Sequence, residues 1–521
     1  MTSIEPQKPS AQPQATTTPR PGLPDREREA GMRWIVWDGV LSSTMGALTS
    51  GVFLTGFALL LGATDTIIGL LSGLPRLSAL MQPLGSYFVE RHQVRKRISV
   101  WVFGPARMLW LFVLALPLIG YQRGVSPKAL IVLSLVSVLS ALMAGFASVS
   151  WFAWMADLVP ARIRGRYFAR RTLWAGTVSA IVAFVAGKFV DIWKVQHGKD
   201  SPGSFLIVFA IALACGLVSW YTLIRCPEPP IRGGEEEGDR LHFLSAVREA
   251  WSDANFRNFV TFSALVTSGV WIASPFVSVY MIKVMDLPYW LMGLFGAVSS
   301  AGSLFMVRLW GRLNDHFGSR PVMSACLTGV SLMPVFWALT ANGAWWPFLL
   351  ANAIGGASWS GYSLAEMNMV FKITPQKRKS VYIAIYYALG GLPSLIMPVI
   401  AGYILQHTEH LALHVGDFTF LNYHFIFLAS STTRWLGSRR FQKVEEPKAK
   451  SVRHMIRVLS HVRSVNPFLG LEYSFRVVSV AAGRTTTRTA RRAARALRRT
   501  AARLRGQKLP LEPPSEPGPP A

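Results

Sequence analysis

The sequence predicts an all-α integral membrane protein with twelve transmembrane helices in two pseudo-symmetric six-helix bundles. Three observations predict this fold class: long apolar runs, basic residues confined to alternate loops, and an internal duplication. Of the 521 residues, 51% are hydrophobic and only 16% are charged, whereas charged residues make up about a quarter of an ordinary soluble domain. The composition therefore excludes soluble globular, disordered and coiled-coil proteins.

The apolar runs predict the membrane-crossing helices. A helix needs about 20 mostly apolar residues to cross the hydrocarbon core. Twelve runs have this length, at 36–61, 66–89, 98–120, 129–154, 173–193, 204–224, 258–283, 288–310, 321–340, 345–370, 381–405 and 418–436. The last run is the weakest, because Asn422, His424 and Arg434 interrupt it. Eleven crossings are the alternative.

The net charge of +27 is unevenly distributed along the chain. Twenty Lys or Arg residues and only five acidic residues follow residue 433. Among the other loops and the N-terminal tail, one side of the predicted membrane holds 25 Lys or Arg residues and the other side four. Because Lys and Arg are retained in cytoplasmic loops, this bias predicts an even number of crossings with both termini cytoplasmic. We expect the bacterial inner (plasma) membrane as the location.

The chain contains an internal duplication. Three matches recur in the same order, at offsets of 218, 225 and 215 residues. They pair LTSGVF at 48–53 with VTSGVW at 266–271, Glu90-Arg91 with Asp315-His316, and the basic segment 160–169 with 375–384. Together with the topology, they place helices 1 to 6 in one half and helices 7 to 12 in the other.

These features divide the chain into five segments. They are a disordered cytoplasmic N-terminal tail (1–33), a first six-helix half (34–225), a cytoplasmic linker with an amphipathic helix (226–257), a second six-helix half (258–437) and a basic cytoplasmic C-terminal tail (438–521). The linker is rich in Pro, Gly and acidic residues before the amphipathic stretch begins. A plain solvated linker is the alternative.

Two loop motifs carry a resemblance to a known family. GRLNDHFGSRP supplies Gly311, Asp315, Gly318 and Arg320, with His316 where Arg is usual, and GSYFVERHQVRKR is a weaker copy with Gln93 in place of the loop glycine. Over about residues 33–440 the chain resembles a major facilitator superfamily transporter. The resemblance implies a secondary active transporter of a small solute that works by alternating access, coupled to an ion or a proton.

The charged groups at these loops are candidates for a cytoplasmic gating clasp. An acid at a helix end can pair with bases and cap a neighbouring helix. The candidates are Glu90, Arg91, Arg95, Asp157, Arg164, Gly311, Asp315, Gly318 and Arg320. We expect Asp157 to be the partner of the basic cluster at 90–97. The alternative is that these bases only follow the distribution of charge that fixes topology.

Charged residues inside predicted spans are candidates for substrate binding or coupling, because such charges are costly in a bilayer. They are Arg76, Arg107, Asp38 and Glu366. Arg76 lies ten residues into its span, or about 15 Å at 1.5 Å per residue, near the middle of the membrane. A buried Arg suits an anionic substrate or a carboxylate partner, and a membrane carboxylate suits a coupling proton. Asp38 as an interfacial N-cap and Arg107 as a snorkelling side chain are the alternatives.

Other features narrow the function. The sequence has no phosphate-binding GxxxxGK[ST] loop and no catalytic cluster, so we expect no enzyme activity and no cofactor. The expected energy source is a gradient, either of the substrate alone or of a coupled ion. Lys188 and Asp191 are interpreted as interfacial anchors. The basic tail is expected to contact anionic lipid headgroups, not nucleic acid, and the protein is expected to be a monomer. A non-transporting membrane sensor or scaffold that displays this tail is the alternative function.

Overall fold

The computed structural model describes residues 23–92, 94–119, 124–229, 243–340, 344–374, 379–415 and 418–446. Nearly all of them are helical. The basic tail from residue 447 onward, with its predicted lipid contacts, lies outside the described residues, as do the first 22 residues of the N-terminal tail.

The first half of the described chain contains nine α-helices. They are α1 (Asp25–Leu48), α2 (Gly51–Leu60), α3 (Asp65–Gly73), α4 (Ser78–His92), α5 (Arg95–Met108), α6 (Trp110–Leu114), α7 (Pro127–Leu158), α8 (Ala161–His197) and α9 (Gly203–Arg225). A 3-10 turn, Leu74–Leu77, joins α3 to α4, and a second one, Leu116–Ile119, follows α6. These helices form six spanning units, because α1 continues into α2, α3 into α4, and α5 into α6.

The second half has the same number of spanning units. Its helices are α10 (Phe243–Ser252), α11 (Ala254–Val279), α12 (Tyr289–Phe317), α13 (Ser319–Ala338), α14 (Trp346–Ile373), α15 (Lys379–Gly391), α16 (Pro393–His407) and α17 (Asn422–Phe441). A π-helical turn, Tyr280–Val284, extends α11, and α15 continues into α16. Helix α10 lies in the predicted linker. Two short antiparallel strands, β1 (Ala412–Val415) and β2 (Phe418–Leu421), precede α17.

Ten of these units are long and apolar enough to cross a membrane within the described chain, and α14 and α17 bring the number of spanning units to twelve. The three polar residues that interrupt α17 are all at most 6% exposed. Asn422 Nδ2 donates to the carbonyl of Leu405 at 2.9 Å, and Arg434 Nη1 donates to the carbonyl of Val330 at 2.9 Å. Since these groups face protein and not lipid, they lower the hydropathy of α17 without preventing it from spanning.

The structure differs from three predicted boundaries. Helix α1 begins at Asp25, nine residues before the expected start of the first half. Helix α8 begins at Ala161, before the apolar run that starts at 173, because the basic residues that precede this run are also helical. The last span was predicted from 418, but 418–421 form β2, whose β-branched and aromatic residues pair with β1 in the register Ala412↔Leu421.

The two halves share one packing pattern. Helix α1 packs on α8 and α9, as α11 packs on α16 and α17; α4 packs on α7, as α12 packs on α14; and α5 packs on α7 and α9, as α13 packs on α14 and α17. Large apolar side chains also cover the outside of the bundle, with Trp101 70% exposed and Phe305 68% exposed. An apolar exterior with polar groups turned inward is the arrangement that a lipid environment requires.

The halves meet at one end of the molecule. We call the end at the start of α5 and the end of α7 the basic end, and the end that carries β1 and β2 the hairpin end. Helix α3 packs on α16, and α8 packs on α12. Glycine permits this contact, because a Cβ atom at Gly402 would lie 2.9 Å from the carbonyl carbon of Asp65 and 3.0 Å from the Cα of Thr66.

A buried carboxylate caps helix α13 at the basic end. Glu446 is 8% exposed and follows α17. It accepts hydrogen bonds from the backbone N–H groups of Ser319 at 3.2 Å and Arg320 at 2.6 Å, and from Lys372 Nζ at 2.6 Å. The first N–H groups of a helix have no partner within the helix and carry partial positive charge, so this carboxylate fixes the end of α17 against α13.

The first half contains the matching cap. Glu228, which follows α9, accepts the backbone N–H of Lys96 in the first turn of α5 at 3.0 Å. Each of these two glutamates precedes a proline, and they are 218 residues apart, the same offset as the LTSGVF repeat. The sequence patterns above did not predict this pair, although the repeated Glu-Pro dipeptide was a signal for it.

Replacing the Glu446 carboxylate by an amide should weaken the cap. We expect Glu446→Gln to lower the free energy of unfolding by about 1–2 kcal/mol, because the helix N-terminus and the Lys372 ammonium lose a negative partner. The measurement is denaturant unfolding of the protein in detergent micelles. The matched control is Glu445→Gln at the exposed neighbouring position, and an equal loss in both variants would contradict the assignment.

Candidate functional site

A cavity of about 690 Å³ lies between the halves. Its wall comes mainly from the first four spanning units, and α11 of the second half closes one side. Eight serines and two threonines line it, together with Arg76, Arg107 and Trp271. The volume is in the range of small-molecule pockets, and two of the four predicted substrate or coupling residues face this space.

Arg76 lies in an irregular turn that interrupts the α-helix of the second spanning unit. Pro75 lacks a backbone N–H, so the chain forms the 3-10 turn Leu74–Leu77 at this point. The Arg76 guanidinium carbon lies 4.0 Å from the ring centroid of Trp271 on α11, which is a cation–π contact between the halves. Among the described residues, no carboxylate oxygen lies within 4.0 Å of this guanidinium.

Asp38 and Arg107 form a buried charge network in the first half. Asp38 is 3% exposed; Arg107 Nη2 lies 3.8 Å from one of its carboxylate oxygens and Arg171 Nη2 lies 3.2 Å from the other. Ser219 Oγ donates to Asp38 at 2.7 Å. Helix α1 begins at Asp25, so the interpretation of Asp38 as an N-cap is wrong. The snorkelling interpretation of Arg107 is also wrong, because this side chain turns inward to the carboxylate.

Glu366 lies in a different setting in the second half. Its carboxylate accepts hydrogen bonds from Tyr386 Oη at 2.6 Å and Tyr362 Oη at 3.3 Å. The Tyr386 ring stacks on Phe259, with centroids 4.8 Å apart. In the part of the chain that the structure describes, no Lys or Arg nitrogen lies within 4.0 Å of this carboxylate. The structure therefore does not bring Glu366 together with Arg76 or Arg107.

The basic end brings two of the predicted gating residues together. Arg95, in the first turn of α5, forms an ion pair with Asp157 near the end of α7. Arg164 Nη2 donates to the carbonyl of Ala156 at 2.5 Å, so it caps the last turn of α7. Arg91 donates to Tyr87 Oη at 2.8 Å on its own helix. The side chain of Glu90 lies outside the described side chains.

The second loop motif is arranged differently. Gly318 has φ 96° and joins α12 to α13, a left-handed conformation that glycine adopts without strain. Arg320 Nη2 donates to the carbonyl of Gln442 at 2.9 Å. Asp315 is exposed and has no ion pair among the described residues, and the Cβ position of Gly311 faces open space. The carboxylate that holds this loop in the structure is Glu446.

Among the residues that the structure describes, the hydrogen bonds and ion pairs that join the halves lie at the hairpin end, and the sequence patterns did not predict them. Asp191, on α8, accepts the backbone N–H groups of Tyr289 at 2.8 Å and Trp290 at 2.9 Å. It caps the N-terminus of α12 in the opposite half, a role that its interpretation as an interfacial anchor did not include. A carboxylate late in a predicted span was visible in the sequence, but nothing local indicated a partner about 100 residues away.

A second bond of this kind is more deeply buried. Asp65 is 2% exposed and accepts the hydroxyl of Tyr423 of the second half, with both carboxylate oxygens 3.0 Å from the Tyr423 Oη. At the surface, Lys199 Nζ and Asp286 Oδ2 form an ion pair at 2.6 Å. Together these contacts make the hairpin end a closed, bonded interface between the halves.

Comparisons with known proteins identify the family of the chain. The major facilitator superfamily model matches residues 39–309 and 296–487. A crystal structure of the nucleoside transporter NupG has a TM-score of 0.60 and 11% identity over 80% of this chain and 98% of that chain. The inward open xylose transporter XylE from E. coli has a TM-score of 0.57 and 15% identity over 83% of this chain and 99% of that chain.

A third similar structure is a bacterial homologue of the human lysosomal transporter Spinster, inward-facing and unoccupied. It has a TM-score of 0.57 and 13% identity over 82% of this chain and 100% of that chain. A comparison with curated protein sequences finds no match. The structures support the fold, and the family match extends over most of the chain. The chain is therefore a membrane transporter that belongs to the major facilitator superfamily.

Proposed function

We propose that the protein is a secondary active transporter that moves a small solute by alternating access and couples this movement to a proton gradient. The observation that carries the proposal is one-sided closure. Among the described residues, the hydrogen bonds and ion pairs between the halves lie at the hairpin end, and those at the basic end stay within one half. Two halves that enclose a cavity and are bonded together at one end only correspond to one of the two states that alternating access requires.

The distribution of basic residues supports an orientation for this state. The loops at the basic end carry most of the Lys and Arg residues outside the tail, and such loops are retained in the cytoplasm. We therefore propose that both termini are cytoplasmic in a bacterial inner membrane and that the closed hairpin end faces the periplasm. In this orientation the structure is an inward-facing state.

The basic end then supplies the cytoplasmic gate. The Arg95–Asp157 pair and the Arg164 cap stabilise the loops of the first half, while Asp315 of the second half is exposed and unpaired in the described chain. We propose that Asp315 engages the first half only when the cytoplasmic side closes. A charge-assisted bond formed in one state alone shifts the equilibrium toward that state.

Removing the charge of Asp315 should therefore slow transport without affecting folding. We expect Asp315→Asn to lower the uptake rate in proteoliposomes by about tenfold, equivalent to about 1.4 kcal/mol. Uptake is measured with whichever labelled sugar, nucleoside or organic acid the unaltered protein accumulates. Arg312→Gln, at an exposed position on the same helix, is the control. Unchanged uptake in Asp315→Asn would remove this residue from the gate, and no uptake of any solute by the unaltered protein would favour a sensor or scaffold.

The closed hairpin end should depend on the close approach at Gly402. We expect Gly402→Val to separate α16 from α3, because a Cβ there meets the backbone of Asp65. The measurement is the spin-label distance between Asp200→Cys and His410→Cys, two exposed positions in opposite halves, in a background without native cysteines. Gly165→Val is the control, since its Cβ would meet nothing within 4 Å. A distance unchanged by Gly402→Val would argue against this closure.

Glu366 is the best placed group to carry the coupling proton. Its carboxylate lies in a membrane helix between tyrosine hydroxyls and aromatic rings. A charge without a cationic partner is costly in such surroundings, and taking up a proton removes that cost without breaking an ion pair. Arg107 and Asp38, which form a pair of opposite charge, are less suited to this role.

Replacing Glu366 by the neutral isostere should separate exchange from accumulation. We expect Glu366→Gln to lose proton-driven accumulation while it still exchanges internal for external solute, because an amide cannot release a proton. The measurement compares uptake with and without an imposed pH gradient. Glu409→Gln, at an exposed position, should behave like the unaltered protein. Gradient-driven accumulation that persists in Glu366→Gln would assign coupling to another group.

A further inference from the structure

The cavity wall carries more positive than negative charge. Arg76 and Arg107 both line it, and the described residues that line it include no Asp or Glu. Asp38, the carboxylate closest to Arg107, lies behind the wall and is shared with Arg171. Because a guanidinium stays protonated in proteins, the two arginines leave an excess of positive charge at this surface.

Two buried polar atoms of residues in the same wall have no hydrogen-bond partner among the residues that the structure describes. They are Nη1 of Arg107, a residue 7% exposed, and Oγ of Ser137, a residue 8% exposed. Leaving a buried polar group unpaired costs about 1–3 kcal/mol, so such groups usually serve a purpose. A guanidinium nitrogen only donates hydrogen bonds, and its missing partner must therefore be an acceptor.

A helix N-terminus also lies at the cavity wall. The first spanning unit is interrupted between Leu48 and Gly51, where the hydroxyls of Thr49 and Ser50 bond back to the carbonyls of Met45 and Gly46. Gly51, with φ 56°, begins the ten-residue helix α2 and lines the cavity. The N-terminus of a helix carries partial positive charge and unpaired N–H groups, and Ser50 and Gly51 place this one at the cavity wall.

We propose that the cavity binds a small hydroxylated organic anion, with its carboxylate or phosphate group at Arg76 and Arg107. The Arg76 guanidinium lies over the Trp271 ring and has no carboxylate within 4.0 Å among the described residues, so its N–H groups can bind an anion in the fork geometry that carboxylate and phosphate share. The eight serines and two threonines of the wall match the hydroxyls of such a solute. This substrate class rests on the proposed transport function, which it makes more specific.

The test compares solutes of similar size that differ in charge. Purified protein in nanodiscs is heated with gluconate, glucose or glucosamine, and with glycerol 3-phosphate or glycerol. We expect thermal stabilisation by gluconate or glycerol 3-phosphate and none by the uncharged or cationic partners. The preferred anion distinguishes carboxylate from phosphate recognition. Stabilisation by glucose or glucosamine equal to that by gluconate, or no stabilisation by either anion, would overturn the proposal.

Variants connect the effect to the named groups. Arg76→Gln should weaken binding of the stabilising anion at least tenfold, and Ser137→Ala should weaken it severalfold, while Arg76→Lys keeps the charge and recovers part of the affinity. Lys188→Gln removes an exposed charge of the same half and should leave binding unchanged. An affinity that is equal in Arg76→Gln and Lys188→Gln would overturn the assignment of the anion to Arg76.

Uptake of the same solutes separates this proposal from the transport function. Proteoliposomes that accumulate glucose or glucosamine but neither anion would support transport and overturn the anion site. Binding of an anion that depends on Arg76, without uptake of any of the five solutes, would support the anion site and argue against transport of this class. Uptake of an anion that is lost in Arg76→Gln supports both.

Discussion

A charged side chain in the hydrocarbon core is costly unless the protein supplies a partner or a water-filled cavity. The buried charges of this molecule are arranged to meet that requirement. The first half meets it with an ion pair, because Asp38 lies between Arg107 and Arg171. In the second half Arg434, 1% exposed, donates to a backbone carbonyl, and Glu366 accepts tyrosine hydroxyls. Arg76 is the exception: it has an aromatic face and open cavity, so its charge remains available to a ligand.

The same electrostatic device, a carboxylate on a helix N-terminus, is used for two purposes. At the basic end Glu228 and Glu446 each bind a helix of their own half, which makes each half rigid. At the hairpin end Asp191 binds a helix of the opposite half, which joins the halves. Contacts within a half can persist while the halves move, whereas contacts between halves must break, so these carboxylates divide into structural and switching groups.

The fold was predictable from the sequence, whereas the contacts between residues that are distant in the sequence were not. Apolar run length and loop charge depend on nearby residues, so they predicted twelve spans, including α17. The Asp65–Tyr423 bond joins residues 358 positions apart, and no local pattern indicates it. The repeated loop motif also predicted Asp315 as a clasp residue, whereas in this conformation Glu446, a residue counted only as part of a basic tail, holds the loop.

The duplication explains what the halves share, and its departures explain what distinguishes them. LTSGVF interrupts the first spanning unit and places Gly51 at the cavity wall, whereas the related VTSGVW stays within the continuous helix α11, where Gly269 packs against Arg434. One copy thus opens backbone to the cavity and the other closes a helix contact. The two proposals follow this asymmetry: the anion is recognised mainly by the first half and the proton by Glu366 of the second.

A monovalent anion that moves together with one proton carries no net charge across the membrane, so such transport would respond to the pH gradient and not to the membrane potential.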